Sequence, residues 1–165
     1  MAWHSRFGFV FVTLFAMSLV IGVTGRADAQ GANAAAKAAK ASPELVGILS
    51  KELGSTSEQA AGAAGALFGV AKSQLKPADF SQVAKAVPGM AALLGAAPAL
   101  GGAAGTSGAL AQLAESAGGL AAATSAFQKL GLKPELVAKA IPVLTQFVTK
   151  SGGANVGNLL ASVLK

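Results

Sequence analysis

The stretch from Ser55 to Gln74, STSEQAAGAAGALFGVAKSQ, decides what kind of protein this chain can be. Ser55 and Glu58 stand in the S-x-x-E spacing of a capping box, in which a hydroxyl and a carboxylate each satisfy an orphan backbone N–H at a helix start. Behind them Ala60, Ala64, Leu67, Phe68 and Ala71 recur at helical spacing, and nothing alternates like a strand. Gly65 and Gly69 add a G-x-x-x-G face on which a second helix can lie close. That motif means membrane dimerisation only inside an apolar run of about 20 residues, and here Glu58, Lys72 and several polar groups interrupt it. The expected setting is a tightly packed helical bundle in water.

Working outward, the same rhythm repeats. Leu45, Val46, Ile48, Leu49 and Leu53 form a stripe between Pro43, suited to a first helical position, and Gly54, suited to a stop. Leu75-Lys76-Pro77 resets the chain before a helix carrying Phe80, Val83, Ala84 and Val87, which Pro88-Gly89 breaks ahead of Met90 to Leu94. Pro98 to Gly108 is a charge-free Gly/Ala stretch that reads as a hinge. Leu110 and Leu113 predict a helix ending near Gly118-Gly119. Another, bearing Leu120, Ala123, Phe127 and Leu130, ends at Gly131. Leu136, Val137, Ala140, Ile141, Leu144 and Val148 predict a longer helix entered through Pro134, with Pro142 bending or restarting it. After Ser151-Gly152-Gly153, Val156, Leu159, Leu160, Val163 and Leu164 give the cleanest apolar stripe.

The pattern predicts an all-α fold, a compact bundle of about six to eight short helices. A weak repeat relates Leu75-Lys76-Pro77 with Val83 to Pro88 to Leu132-Lys133-Pro134 with Val137 to Pro142, each preceded by a phenylalanine, Phe68 or Phe127. It reads either as a duplicated unit or as chance among similar Ala/Lys/Pro helices. With duplication, residues 42–165 form one domain of two related halves, about 42–97 and 109–165, around the Gly/Ala hinge.

Ahead of that domain, Arg6 and an uncharged run from Phe7 to Val23 precede Ala27-Asp28-Ala29, the small-x-small pattern that a signal peptidase accepts. Residues 1–29 are expected to be a signal peptide cut between Ala29 and Gln30. An uncleaved anchor is the alternative. Residues 30–41, almost all Ala, Gly and Lys, offer no large side chain to a core and are expected to be a flexible leader.

The whole chain has 165 residues and a formal net charge of +6, without Cys or Tyr. Cleavage after Ala29 removes both arginines, the only His and the only Trp, and leaves eleven lysines against six carboxylates. A chain left without Cys, His, Arg, Tyr or Trp lacks the usual nucleophile, proton shuttle, metal ligands and phosphate fork. No enzyme activity, metal or cofactor is therefore expected. Ser73-Gln74-Leu75-Lys76 matches S-x-x-K, but Lys76 precedes Pro77 and is biased out of the helix, and no K-T-G follows. Four carboxylates, Glu44, Glu58, Asp79 and Glu135, fall in predicted first turns, where they offset the helix dipole. Dispersed lysines without Arg, Tyr or Trp argue against nucleic acid. They allow a weak attraction to anionic membrane surfaces, which the amphipathic last helix could share.

Several short motifs resemble a family of small bacterial envelope proteins of unknown function, the VcgC/VcgE type. They are Glu58-Gln59-Ala60 with Gly65-Ala66-Leu67, Phe80 with Val87-Pro88-Gly89, Phe127-Gln128-Lys129-Leu130-Gly131-Leu132, and Gly152-Gly153 with Leu159-Leu160. The resemblance covers roughly Leu45 to Leu164. It implies an exported helical protein and assigns no activity or functional residue. The resulting expectation is a periplasmic or secreted interaction or scaffold module, its partner an unidentified protein or envelope component. A groove between the halves would form its working surface, with Phe68, Phe80, Phe127 and Phe147 as the few aromatic anchors available, although a place in the core is the reading that their apolar character favours. A peripheral membrane-surface protein is the alternative, and a small hydrolase a distant third.

Overall fold

A computed structural model describes residues 26–98 and 119–164 of the chain. It is all-α, and the described residues form eight helices: α1 (Arg26–Ala41), α2 (Pro43–Leu53), α3 (Ser57–Gln74), α4 (Pro77–Ala86), α5 (Met90–Ala96), α6 (Gly119–Lys129), α7 (Leu136–Gly152) and α8 (Ala154–Val163). The Gly/Ala hinge from residue 99 onward, the helix expected around Leu110 and Leu113, and the apolar run of the expected signal peptide lie outside the described residues.

Helix α3 is the axis of the bundle. Every residue from Ala60 to Ala71 is buried, so this helix has no solvent stripe, as expected of a helix covered on all sides. Its small side chains make that possible. Helices α1, α2, α5 and α6 all pack on it, and at Gly65 the α5 backbone approaches so closely that a Cβ would lie 2.9 Å from the Leu93 carbonyl carbon. A neighbouring helix is thus seated on Gly65, one member of the expected G-x-x-x-G face. Helices α7 and α8 form a close pair, α4 packs on both, and α2 joins α3 to α7. One continuous core runs from Ala35 to Leu164 and draws on both halves of the chain. The similar segments of the weak repeat diverge at their ends: Pro88 follows α4, whereas Pro142 sits inside an α7 that continues to Gly152 without restarting.

Two helix ends explain how the sequence punctuates the bundle. At the end of α2, Gly54 takes the left-handed conformation (φ 60°). Its N–H donates to the Lys51 carbonyl and that of Ser55 to the Ser50 carbonyl, which is the Schellman arrangement. Gly131 (φ 72°) repeats it after α6, with Gly131 and Leu132 donating to Gln128 and Phe127.

The first of these corrects the expected capping box. Ser55 is committed to closing α2, so the cap of α3 falls one residue later. The Gln59 N–H donates to Thr56 Oγ1 (3.2 Å) while the Thr56 N–H donates to Gln59 Oε1 (3.1 Å). Ser55 Oγ is left buried without a hydrogen-bond partner.

The leader is also corrected. Residues 30–41 are helical as part of α1, which packs on α5 and α3 with Ala35 and Ala38 buried. Alanine is enough here, because a small side chain lets two helix axes come close and bury backbone as well as methyl groups. The expected cleavage site, Ala29 and Gln30, falls within the first turns of this helix. Finally, Glu135 occupies the N-cap of α7 rather than its first turn and makes no side-chain capping bond, while Glu44, Glu58 and Asp79 lie in first turns.

Candidate functional site

The four candidate anchors separate on burial. Phe68 on α3 and Phe127 on α6 have no exposed surface, so they fill the core, and nothing outside the bundle can reach them. Phe80 on α4 is half-buried and packs against the same core. Phe147 is buried on α7, yet its edge reaches a surface groove. Burial thus removes Phe68 and Phe127 from the expected anchors and leaves Phe80 and Phe147, of which Phe147 lines the groove.

That groove, about 600 Å³ in volume, runs between α2 and α7, one from each half of the chain. Helix α2 contributes Glu44, Ile48 and Glu52, spaced by four residues and so aligned along one helix face. Helix α7 contributes Lys139, Pro142, Val143, Gln146, Phe147 and Lys150, which follow the i, i+3, i+4, i+7, i+8, i+11 rhythm of a single face. Ile48, Pro142, Val143 and Phe147 make the floor apolar. Ile48 is 40% exposed, one of two large hydrophobic side chains so exposed among the described residues; the other is Leu120 on α6.

Charge is sorted by wall. The α2 side is acidic and the α7 side basic, and Lys150 Nζ lies 4.0 Å from Glu44 Oε1. This pair sets the start of α2 beside the end of α7, and because the two helices pack together and both line the groove from Glu44 to Glu52 and from Lys139 to Lys150, they run antiparallel, with Glu52 and Lys139 toward the groove's other end. At 82% and 68% exposure the pair is well solvated and contributes little to stability. Its use here is to fix where each sign of charge sits.

Sequence reasoning counted Ile48 among the core residues of α2 and did not single out its neighbours. The signal was available as Glu44-x3-Ile48-x3-Glu52, a stripe adjoining the Leu45, Val46, Leu49 and Leu53 face that the structure buries. The opposite wall was not legible, because nothing local says that α2 meets a helix some ninety residues later.

Other candidate chemistry is accounted for by local structure. The Ser73 hydroxyl donates to the Val70 carbonyl (2.8 Å) within α3, and Lys76 lies beyond that helix in an extended conformation at the N-cap of α4. The S-x-x-K residues are thus split between two elements. Among the described residues no cluster of His, Cys, Asp or Glu could hold a metal ion, and no helix is long and apolar enough to cross a membrane. The apolar stripe of the last helix faces inward: Val156, Leu160 and Leu164 are buried, with Val163 packed on the core. These residues pack on α7 and α4, while Leu159 of the same stripe is half-buried.

Fold and groove together define a small helical bundle whose described surface carries a partly apolar groove between an acidic and a basic wall. The chain belongs to the family described as protein of unknown function VcgC/VcgE (DUF2780), which matches residues 6–165. No curated protein and no solved structure matches it.

The residues that carried the family resemblance lie mainly at junctions between helices. Gln59 Nε2 donates to the Leu130 carbonyl (2.8 Å), linking the Glu58-Gln59-Ala60 motif to the Leu130-Gly131 turn. The Ser42 hydroxyl donates to the Pro88 carbonyl, linking the α1–α2 junction to the Val87-Pro88-Gly89 turn.

Proposed function

We propose that this protein is an exported, non-enzymatic module of the cell envelope that acts by binding a protein partner in the α2–α7 groove. The observation that carries this reading is Ile48, an apolar side chain 40% exposed in a groove that it lines with Pro142, Val143 and Phe147, flanked by charged residues of both signs. Burying such a patch is what drives association, and the surrounding charges orient it. Export is supported by the uncharged Phe7 to Val23 run and Ala27-Asp28-Ala29. Cleavage after Ala29 removes the first turn of α1 and keeps Ala35 and Ala38, which dock it. The absence of Cys, His, Arg, Tyr and Trp beyond Ala29 supports a binding role over catalysis.

A photo-crosslinking side chain placed at Ile48 in growing cells is expected to trap a polypeptide, whereas the same group at exposed Lys133 traps none. Equal labelling at both positions, or none at 48, refutes the groove as the working surface. Mass spectrometry of the accumulated protein is expected to find Gln30 at its N-terminus in the envelope fraction. Steady consumption of an envelope compound by the purified protein would refute the non-enzymatic reading.

A further inference from the structure

We infer that the occupant of the groove is a second copy of this chain, an inference that rests on the groove being the docking surface. The argument is charge complementarity under symmetry. In a two-fold dimer each patch must complement itself. Two placements of the axis bring the grooves face to face with the helices of the two copies aligned. An axis lying across the groove sets α2 on α2 and places Glu44 of one copy by Glu52 of the other, with the lysines opposed in the same way. An axis lying along the groove sets α2 of each copy on α7 of the other. Because α2 begins where α7 ends, as the Glu44–Lys150 pair and the lining of the groove along both helices place them, Glu44 and Glu52 of one copy then meet Lys150 and Lys139 of its mate. Only the second placement is attractive at both ends.

The same placement completes a familiar packing unit. Helices α2 and α7 of two copies form four helices, each antiparallel to its neighbours, around the facing apolar floors, as in a four-helix bundle. Ile48, Val143 and Phe147 become its interior, and Glu44, Glu52, Lys139 and Lys150 flank the seam. The exposure of Ile48 and the sorting of charge by wall then have one common cause.

The test is a charge exchange, read by sedimentation equilibrium on protein purified from the producing cells in the form they accumulate it. The unaltered protein is expected to dimerise, more weakly as salt rises. Glu44→Lys/Glu52→Lys and Lys139→Glu/Lys150→Glu should each weaken self-association about 10-fold or more, since each brings like charges together at the seam. An equimolar mixture of the two should regain a dimer containing one of each. A chain carrying all four exchanges should dimerise again. Circular dichroism of each variant separates loss of pairing from loss of fold, and the fully exchanged chain repeats the test should one half-exchange fold poorly. A monomer at all concentrations, or a dimer indifferent to both exchanges, overturns the inference. If the exchanges have no effect while the group at position 48 traps a different polypeptide, the second copy is wrong and the docking groove stands. If position 48 traps nothing, both fail.

Discussion

A methyl group added at Gly65 would fall against the backbone of Leu93, whereas one added at Gly47 on α2 would meet nothing within 4 Å. The two glycines therefore predict opposite outcomes for the same substitution. Gly65→Ala must push α5 away from α3 and is expected to destabilise the fold by about 1–3 kcal/mol. Gly47→Ala only reduces the freedom of the unfolded chain within a helix and is expected to add about 0.5–1 kcal/mol. Urea denaturation of both variants checks the pair. Equal effects would mean that α3 and α5 do not approach through Gly65. The sequence marked Gly65 as a small-residue contact; that its neighbour is α5, through backbone rather than side chain, comes from the packing.

At the scale of the element, the junction between α2 and α3 shows one helix end displacing the next helix's start. Ser55 closes α2, so Thr56 and Gln59 form the box that the spelling Ser55-x-x-Glu58 offered one residue earlier. Gln59 also reaches the Leu130 carbonyl, joining the start of α3 to the end of α6. Gln59→Ala removes the reciprocal cap and this link together, at an expected cost of about 1–3 kcal/mol. Glu58→Ala loses only a first-turn charge, about 0.3–1 kcal/mol. Thermal unfolding of the two variants is the check: a larger loss from Glu58→Ala would restore the box the sequence suggested. Local spelling could not choose between the two boxes, because the choice depends on which N–H groups satisfy the last carbonyls of the preceding helix, and the Ser55 N–H is taken by Ser50.

For the whole molecule, the N-terminal helix is the part whose role changed most. Alanine repeats with lysine read as a leader with nothing to bury, yet Ala38 has no exposed surface, and α1 lies on α5 and α3. Ala38→Glu places an unpaired charge in that contact and is expected to detach α1 or to cost about 3 kcal/mol or more. Hydrogen exchange distinguishes these outcomes from a free leader. Amides from Ala35 to Ala41 should be protected like those of α5 in the unaltered protein and lose protection in the variant. Rapid exchange of these amides in both proteins would return the segment to a leader.

What the sequence determined by itself was local: helices in place of strands, most of their starts and stops at Pro43, Gly54, Pro77, Pro88 and Gly131, and its family. These follow from backbone preferences and periodicity, which act within a few residues. Only the tertiary structure decided that α3 is enclosed on every side, that Phe68 and Phe127 serve the core, and that α2 and α7 meet along a groove of opposite charges. Those outcomes depend on which helices become neighbours. That is set by close packing summed over the whole bundle, where an alanine counts for the space it leaves to others as much as for its own small apolar surface.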